Sequence, residues 1–187
     1  MSATYRAIEV TRPGQFSDVR RPLQDPGPGQ VRIRIEACGV CHSDSATVDG
    51  VFPGIVYPRV PGHEVVGRVD ALGAGVQGWA AGQRVGIGFL AGFCGYCEFC
   101  RSGDLVNCRY QEQTGIIEVP GIELIFGSRN LEGALTGDPA TGDDTLRFSV
   151  LSGVSAMIET MPLEKAPDAY AKMMSGKARF RMVLTMG

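Results

Sequence analysis

Cys94-Gly95-Tyr96-Cys97-Glu98-Phe99-Cys100, continued by Arg101-Ser102-Gly103-Asp104-Leu105-Val106-Asn107-Cys108, sets four thiols in the spacing C-x2-C-x2-C-x7-C. Short CxxC gaps place consecutive sulfurs on the same side of tight turns, so all four can converge on one tetrahedral Zn²⁺. With every ligand supplied by protein, no position stays open for water or substrate, which defines a structural site. Binding of that kind contributes on the order of 10 kcal/mol in small zinc modules. It would order a lobe that has few large apolar residues of its own. Two other readings use the same cysteines. Iron–sulfur motifs also begin C-x2-C-x2-C, but they continue with a short gap and Cys-Pro, whereas here seven residues intervene and Arg109 follows. Disulfides would need an oxidising compartment.

The 187 residues suffice for one domain, or one domain plus an appendage. A net charge of −2, with Lys and Arg scattered, argues against a nucleic-acid partner. Met1 to Val10 has no apolar core of signal-peptide length, and no apolar run reaches bilayer-spanning length. The expectation is a cytoplasmic protein without membrane association, in which six cysteines point to metal before disulfides. Twenty-six glycines and eleven prolines suggest a turn-rich, largely β fold.

Ala7 to Val10 predicts a short strand, and Pro26-Gly27-Pro28-Gly29 a turn. From Val31 the alternation predicts a half-buried strand, with Val31, Ile33 and Ile35 on one face and Arg32, Arg34 and Glu36 on the other. It runs into Ala37-Cys38-Gly39-Val40-Cys41-His42-Ser43-Asp44. After a Pro-rich loop comes Gly62-His63-Glu64-Val65-Val66. Cys41 and His63 each offer a metal ligand beside a strand, although such a pair taken alone is more often unrelated. Gly73-Ala74-Gly75-Val76-Gln77-Gly78 matches G-x-G-x-x-G letter for letter. That fingerprint needs a helix after its last glycine, and the strand-like Arg84-Val85-Gly86-Ile87 follows too soon, so a plain glycine loop between strands is predicted.

Beyond the cysteine lobe, Ile122 to Phe126 is apolar and Asn130 to Leu135 predicts a strand. Thr141-Gly142-Asp143-Asp144 has a helix-start pattern ahead of Leu146 and Val150. A further helix is predicted from Ala166 to Ser175, with Pro167 in its first turn, Gly176 as its stop, and Ala166, Ala169, Tyr170 and Met173 as its buried stripe. Ala178 to Leu184 reads as a closing strand.

Cys38-Gly39-Val40-Cys41-His42-Ser43-Asp44, Gly62-His63-Glu64 and the four-cysteine lobe, in this order, resemble the zinc-dependent alcohol dehydrogenases of the medium-chain dehydrogenase/reductase family. The resemblance covers roughly residues 5 to 115 and resumes near Leu124. It implies a mainly β fold with a few helices: a GroES-like barrel over 1–115 carrying the zinc lobe at 90–112, and a C-terminal helix and strand over 154–187 returning to it. It places Cys41 and His63 at catalytic-zinc positions, with Glu64 the acid beside them. Ser43 matches the hydroxyl that passes the substrate alcohol's proton outward, Asp44 a carboxylate behind the metal, and His42 a residue near the cofactor's phosphates.

Family members carry a whole Rossmann domain between the lobe and the C-terminal segment, and here the two are joined around Thr114 to Ile122. Residues 116–153 read as the junction and a remnant of that domain. No cysteine follows Cys108 to act as the family's third catalytic ligand. Cys38 and Cys41 form a CxxC, but Cys38 reads as a small buried residue. The expectation is therefore an alcohol-dehydrogenase-like protein that holds structural zinc and a weaker, vestigial second metal at Cys41, His63 and Glu64, and does not bind NAD or turn over alone. The alternative is a working oxidoreductase of small alcohols or aldehydes that takes its cofactor domain from another chain or uses another acceptor. A homodimer through residues 124–135 is also expected, since a strand without neighbours seeks a partner.

Overall fold

The computed structural model describes residues 3–51, 54–113 and 139–187. They fall into two compact units, one of residues 3–89 with 158–187 and one of 90–113 with 139–157. The fold is mainly β with a few helices, as the composition implies. Its sheets remain open, and none closes into a barrel among the described residues. No helix there is long and apolar enough to cross a membrane. The junction at 114–122, the apolar stretch 122–126 and the predicted strand 130–135, with its dimer interface, lie outside the described residues.

The first unit opens with the hairpin of β1 (Thr4–Arg12) and β2 (Gln15–Pro22), longer at both ends than the predicted strand. Ala7, Ile8 and Val10 of β1 are buried, Ile8 and Val10 on one face of the strand and Ala7 on the other. β3 (Val31–Val40) is followed by a one-turn helix at His42–Asp44 and by α1 (Ser45–Val48). β4 (Glu64–Leu72) and β5 (Arg84–Ile87) come next. Together with β8 (Ile158–Pro162) and β9 (Arg181–Thr185) they form one sheet in the order β5-β4-β3-β9-β8. All neighbours are antiparallel except β8 and β9, whose parallel pairing requires the crossover through α4 (Ala166–Met174).

α4 forms where its signals lie. Pro167 sits in the first turn, Asp168 faces the positive end of the helix dipole, and Gly176 stops the chain in a left-handed conformation. Ala166 and Ala169 are buried, and Tyr170 and Met173 pack against the same cluster, as the predicted stripe requires. Met182 and Leu184, alternate residues of β9, meet them together with Ile8 and Val40. Burying a side chain the size of Met182 contributes roughly 2 kcal/mol.

Two expectations need correction. The alternation of Val31, Ile33 and Ile35 does not mark a buried face, because both Val31 and Ile35 are exposed. Register shifts in the pairing with β4, at Arg32/Ile33 and Ile35/Ala37, interrupt the two-residue repeat, and burial concentrates at Cys38–Val40. In the second unit, α3 (Pro139–Ser152) starts before Thr141, so the expected cap lies inside the helix. Leu146, Phe148, Val150 and Leu151 on it are exposed.

The glycine run 73–78 links β4 directly to β5 with no helix between them. Gly73 is needed for proximity: an added Cβ would lie 1.8 Å from the Gly27 carbonyl oxygen, where the Gly73 amide donates to Gln30 O at 2.8 Å. The turn and the glycine run thus clamp one end of the sheet.

Candidate metal centres

In the second unit the cysteines lie between β6 (Leu90–Gly92) and β7 (Glu112–Gln113), which pair with each other. Cys97 is the N-cap of the short helix α2 (Glu98–Arg101), and a single turn at Leu105–Asn107 returns the chain to Cys108. Local geometry alone therefore gathers the sulfurs of Cys94, Cys97, Cys100 and Cys108 within 4.8 Å of one another. Cys94 and Cys100 are 3.9 Å apart. A tetrahedron with Zn–S bonds of about 2.3 Å has edges of about 3.8 Å. All four thiols are free. Backbone amides already point at sulfur: Cys94 N–H and Tyr110 N–H donate to Cys108 Sγ, each at 3.3 Å, and Cys97 N–H to Cys94 Sγ at 3.4 Å. Such donors favour thiolates.

The thiols of the lobe are unequally poised. The Cys100 amide and then that of Arg109 lower the Cys97 thiol to about 6, against the opposing effect of burial. Burial, reinforced by a hydrogen bond with Cys108, pushes Cys100 up to about 12. Four thiols this close cannot all ionise without a cation, and a bound dication reverses that repulsion. The cluster fits a structural zinc. Arg109 braces the outside of the lobe, pairing with Glu98 and lying 5.8 Å from the Phe99 ring centre.

The other cluster belongs to the first unit and is built by sheet register. β3 pairs with β4 so that Gly39 faces Glu64, which brings Cys41, just beyond β3, beside His63, just before β4. Cys41 Sγ lies 3.0 Å from His63 Nε2. Asp44 joins them: its Oδ2 accepts the Cys41 N–H at 3.0 Å, and its Oδ1 accepts the Gly62 N–H at 3.1 Å. His63 Nδ1 is also 3.1 Å from Asp44 Oδ1, near enough for an ion pair but at an angle too poor for a formed hydrogen bond. Asp44 and His63 are buried, Cys41 is half-buried, and the His63 ring meets Phe89 edge-on at 5.7 Å.

Asp44, and after it Cys41, raise the His63 imidazole to about 10. Burial pushes the Cys41 thiol up, but hydrogen bonds from His63 and Ser43 outweigh it, and the net direction is down. Without metal His63 is therefore held as an imidazolium, and a metal at its Nε2 must displace that proton. As a metal centre the cluster offers three donors, Cys41, His63 and Asp44, within 4.8 Å of one another, although both Asp44 oxygens already accept backbone N–H groups.

The remaining predicted site residues lie around this pair. His42 and Ser43 are exposed. Glu64 is not in the cluster: its Oε1 sits 3.5 Å from the Arg181 guanidinium. Gly39 makes room for that carboxylate, since an added Cβ would lie 2.2 Å from Glu64 Oε2. Cys38 is buried, its thiol directed to the Gly39 carbonyl at 3.4 Å, and burial pushes it up to about 11. Arg181 was invisible to sequence reasoning, because only the insertion of β9 beside β3 brings it to Glu64. Its place on a strand of alternating burial was the one available hint.

Comparison with known proteins bears on both centres. Residues 27–136 match the model of the alcohol dehydrogenase GroES-like domain, more than half of the chain, and the chain belongs to that family. Aldehyde reductase YahK of Escherichia coli (strain K12) is 45% identical over 97 residues, 52% of this chain and 27% of that protein. An alcohol dehydrogenase of Geobacillus stearothermophilus is 40% identical over 108 residues, 57% of this chain and 32% of that protein. The structure of a cobalt- and zinc-bound thermostable alcohol dehydrogenase from Pyrobaculum aerophilum aligns with a TM-score of 0.57 at 31% identity, covering 62% of this chain and 36% of that one. The chain thus spans about a quarter to a third of the length of the curated relatives it matches.

Proposed function

We propose that this chain is a zinc-holding, alcohol-dehydrogenase-like domain in which Cys94, Cys97, Cys100 and Cys108 bind a structural zinc. Cys41 and His63 then form a weaker second site that Asp44 orients, and the chain has no NAD-dependent turnover by itself. The observation that carries the reading is the closure of four free thiols to within 4.8 Å of one another; at the other centre Cys41 and His63 have beside them only Asp44, whose two oxygens already accept the Cys41 and Gly62 N–H groups. Catalytic zinc sites ordinarily keep three protein ligands. The fingerprint-like glycines are a turn between strands, without the helix N-terminus that would receive a pyrophosphate. Zinc content per chain, measured beside calorimetric titration with NADH, tests this. About one tightly held zinc and no heat of NADH binding are expected, and micromolar NADH affinity would refute it.

A second reading has its own support: the intact contacts among Cys41, Asp44 and His63, which a purely vestigial site has no need to keep. In that reading the chain oxidises small alcohols or reduces aldehydes once another polypeptide supplies a third ligand and the nicotinamide. Ser43, exposed beside Cys41, would pass the alcohol's proton outward, and His42 would stand near the cofactor phosphates. NAD-dependent activity that appears only on mixing with a separate cofactor domain would favour it.

A further inference from the structure

The four thiols of the cysteine lobe differ in how solvent reaches them. Cys97 and Cys108 are buried, at 7 and 3% exposure, whereas Cys94 and Cys100 are half-buried. Cys108 Sγ is further held by two backbone donors, the N–H groups of Cys94 and Tyr110. Cys94 Sγ and Cys100 Sγ, the two that solvent reaches more easily, stand 3.9 Å apart. A disulfide needs about 2.05 Å between sulfurs, so closing this pair takes a movement of roughly 2 Å. Gly95 follows Cys94 in a left-handed conformation with open space around it, which leaves the chain there room to adjust.

From this asymmetry we infer that Cys94 and Cys100 form an oxidation site through which hydrogen peroxide releases the metal of the lobe. The inference rests on the structural-zinc reading above. One thiolate of the pair attacks peroxide and becomes a sulfenic acid as hydroxide leaves. The other thiolate attacks that sulfur, the S–S bond forms and a second hydroxide leaves. Two protons from solvent convert both hydroxides to water, so the sulfurs lose the two electrons that peroxide gains. Zinc then keeps only Cys97 and Cys108, two donors where a closed structural site has four. Because binding of the ion orders the lobe, its departure loosens residues 90–113 while the five-stranded sheet of the first unit stays intact.

The test uses the zinc-loaded full chain beside its Cys41→Ser variant, in which the second centre has lost its thiol. Both are treated with millimolar hydrogen peroxide. Released zinc is read with a chromogenic indicator, and disulfides are mapped by mass spectrometry of chymotryptic peptides. Cleavage after Tyr96 and Phe99 sets Cys94, Cys97 and Cys100 on separate peptides. The expected result in both chains is one zinc released per disulfide formed, a Cys94–Cys100 link as the first product, and reversal by dithiothreitol with added zinc. Zinc retained with the lobe thiols still reduced, a first disulfide through Cys97 or Cys108, or release that disappears in Cys41→Ser would overturn the inference while leaving the structural zinc in place. A lobe that carries no zinc before peroxide is added overturns the structural-zinc reading together with it.

Discussion

The two thiol-bearing centres solve the same problem by different means. The lobe draws all four donors from one short run of turns, so its geometry is written in local spacing. The Cys41–His63 centre draws its donors from the ends of two strands, and Asp44 must tie Cys41, Gly62 and His63 together to hold them. A locally encoded site should form wherever its segment forms and depend almost wholly on metal. A register-encoded site should depend on every contact that keeps the sheet aligned. This difference can be broken or sharpened by experiment.

The largest effect is expected from Cys108→Ser, or from stripping the metal with a strong chelator. The lobe buries few apolar groups, so losing a structural zinc removes binding free energy on the order of 10 kcal/mol. Amide hydrogen exchange across residues 90–113 should rise to unprotected rates while β3, β4 and β9 stay protected. Retained protection of 90–113 without zinc would break the comparison from the lobe's side. Next in size are changes at the other centre. Cys41→Ser should abolish cobalt binding there, and Asp44→Asn should weaken it by about 10- to 100-fold, both with lobe zinc unchanged. Cobalt absorption in zinc-preloaded protein reads this out, and an unaltered Asp44→Asn titration would show that the carboxylate does not orient the donors.

Legibility in the sequence divides along the same line. The lobe could be read from spacing, and α4 from its proline, glycine and apolar stripe, because every determinant lies within a few turns of chain. The burial of β3 could not, because its two register shifts depend on how β4 aligns and leave no mark on Val31 or Ile35 themselves. α3 was visible as a helix through the pattern at 141–144 and the helical spacing of Leu146 and Val150, but its start was misplaced: the threonine–aspartate pattern that suggests a cap also suits a helix interior. Cys41 and His63 could be noted as ligand types beside strands, but only the family resemblance paired them, since their proximity rests on strand pairing. The Glu64–Arg181 pair needed the strand order β4-β3-β9, which tertiary packing decides.

A change of middle size follows from that strand order. Gly39→Ala would place a methyl against Glu64 Oε2, and overpacking of this kind costs typically about 1–3 kcal/mol. It should lower the urea midpoint of the first unit and disturb cobalt binding, while zinc retention by the lobe stays unchanged. Loss of lobe zinc in this variant would show that the two centres are not encoded separately.

The smallest effect sharpens the comparison from a distance. Glu159, on β8, accepts a charge-assisted bond from Lys172 on α4 and the Arg179 N–H at 2.6 Å, anchoring the turn that feeds β9 and thus Arg181. The Lys172 bond, then that of Arg179, holds the Glu159 carboxyl below the usual range against a modest opposing effect of burial. A carboxylate depressed on folding stabilises the native state fully above its unfolded pKa of about 4.3 and loses that contribution as pH falls through the folded value. Partial exposure of both Glu159 and Lys172 to solvent keeps the effect small. Glu159→Gln should therefore lower the urea midpoint slightly at pH 6, and the gap to wild type should close on acidification through the carboxylate range. In the same variant cobalt affinity at Cys41 and His63 should fall slightly, because Arg181 loses its anchor, while the lobe does not respond. A midpoint gap that persists in acid would mean that Glu159 acts through packing and not through its charge.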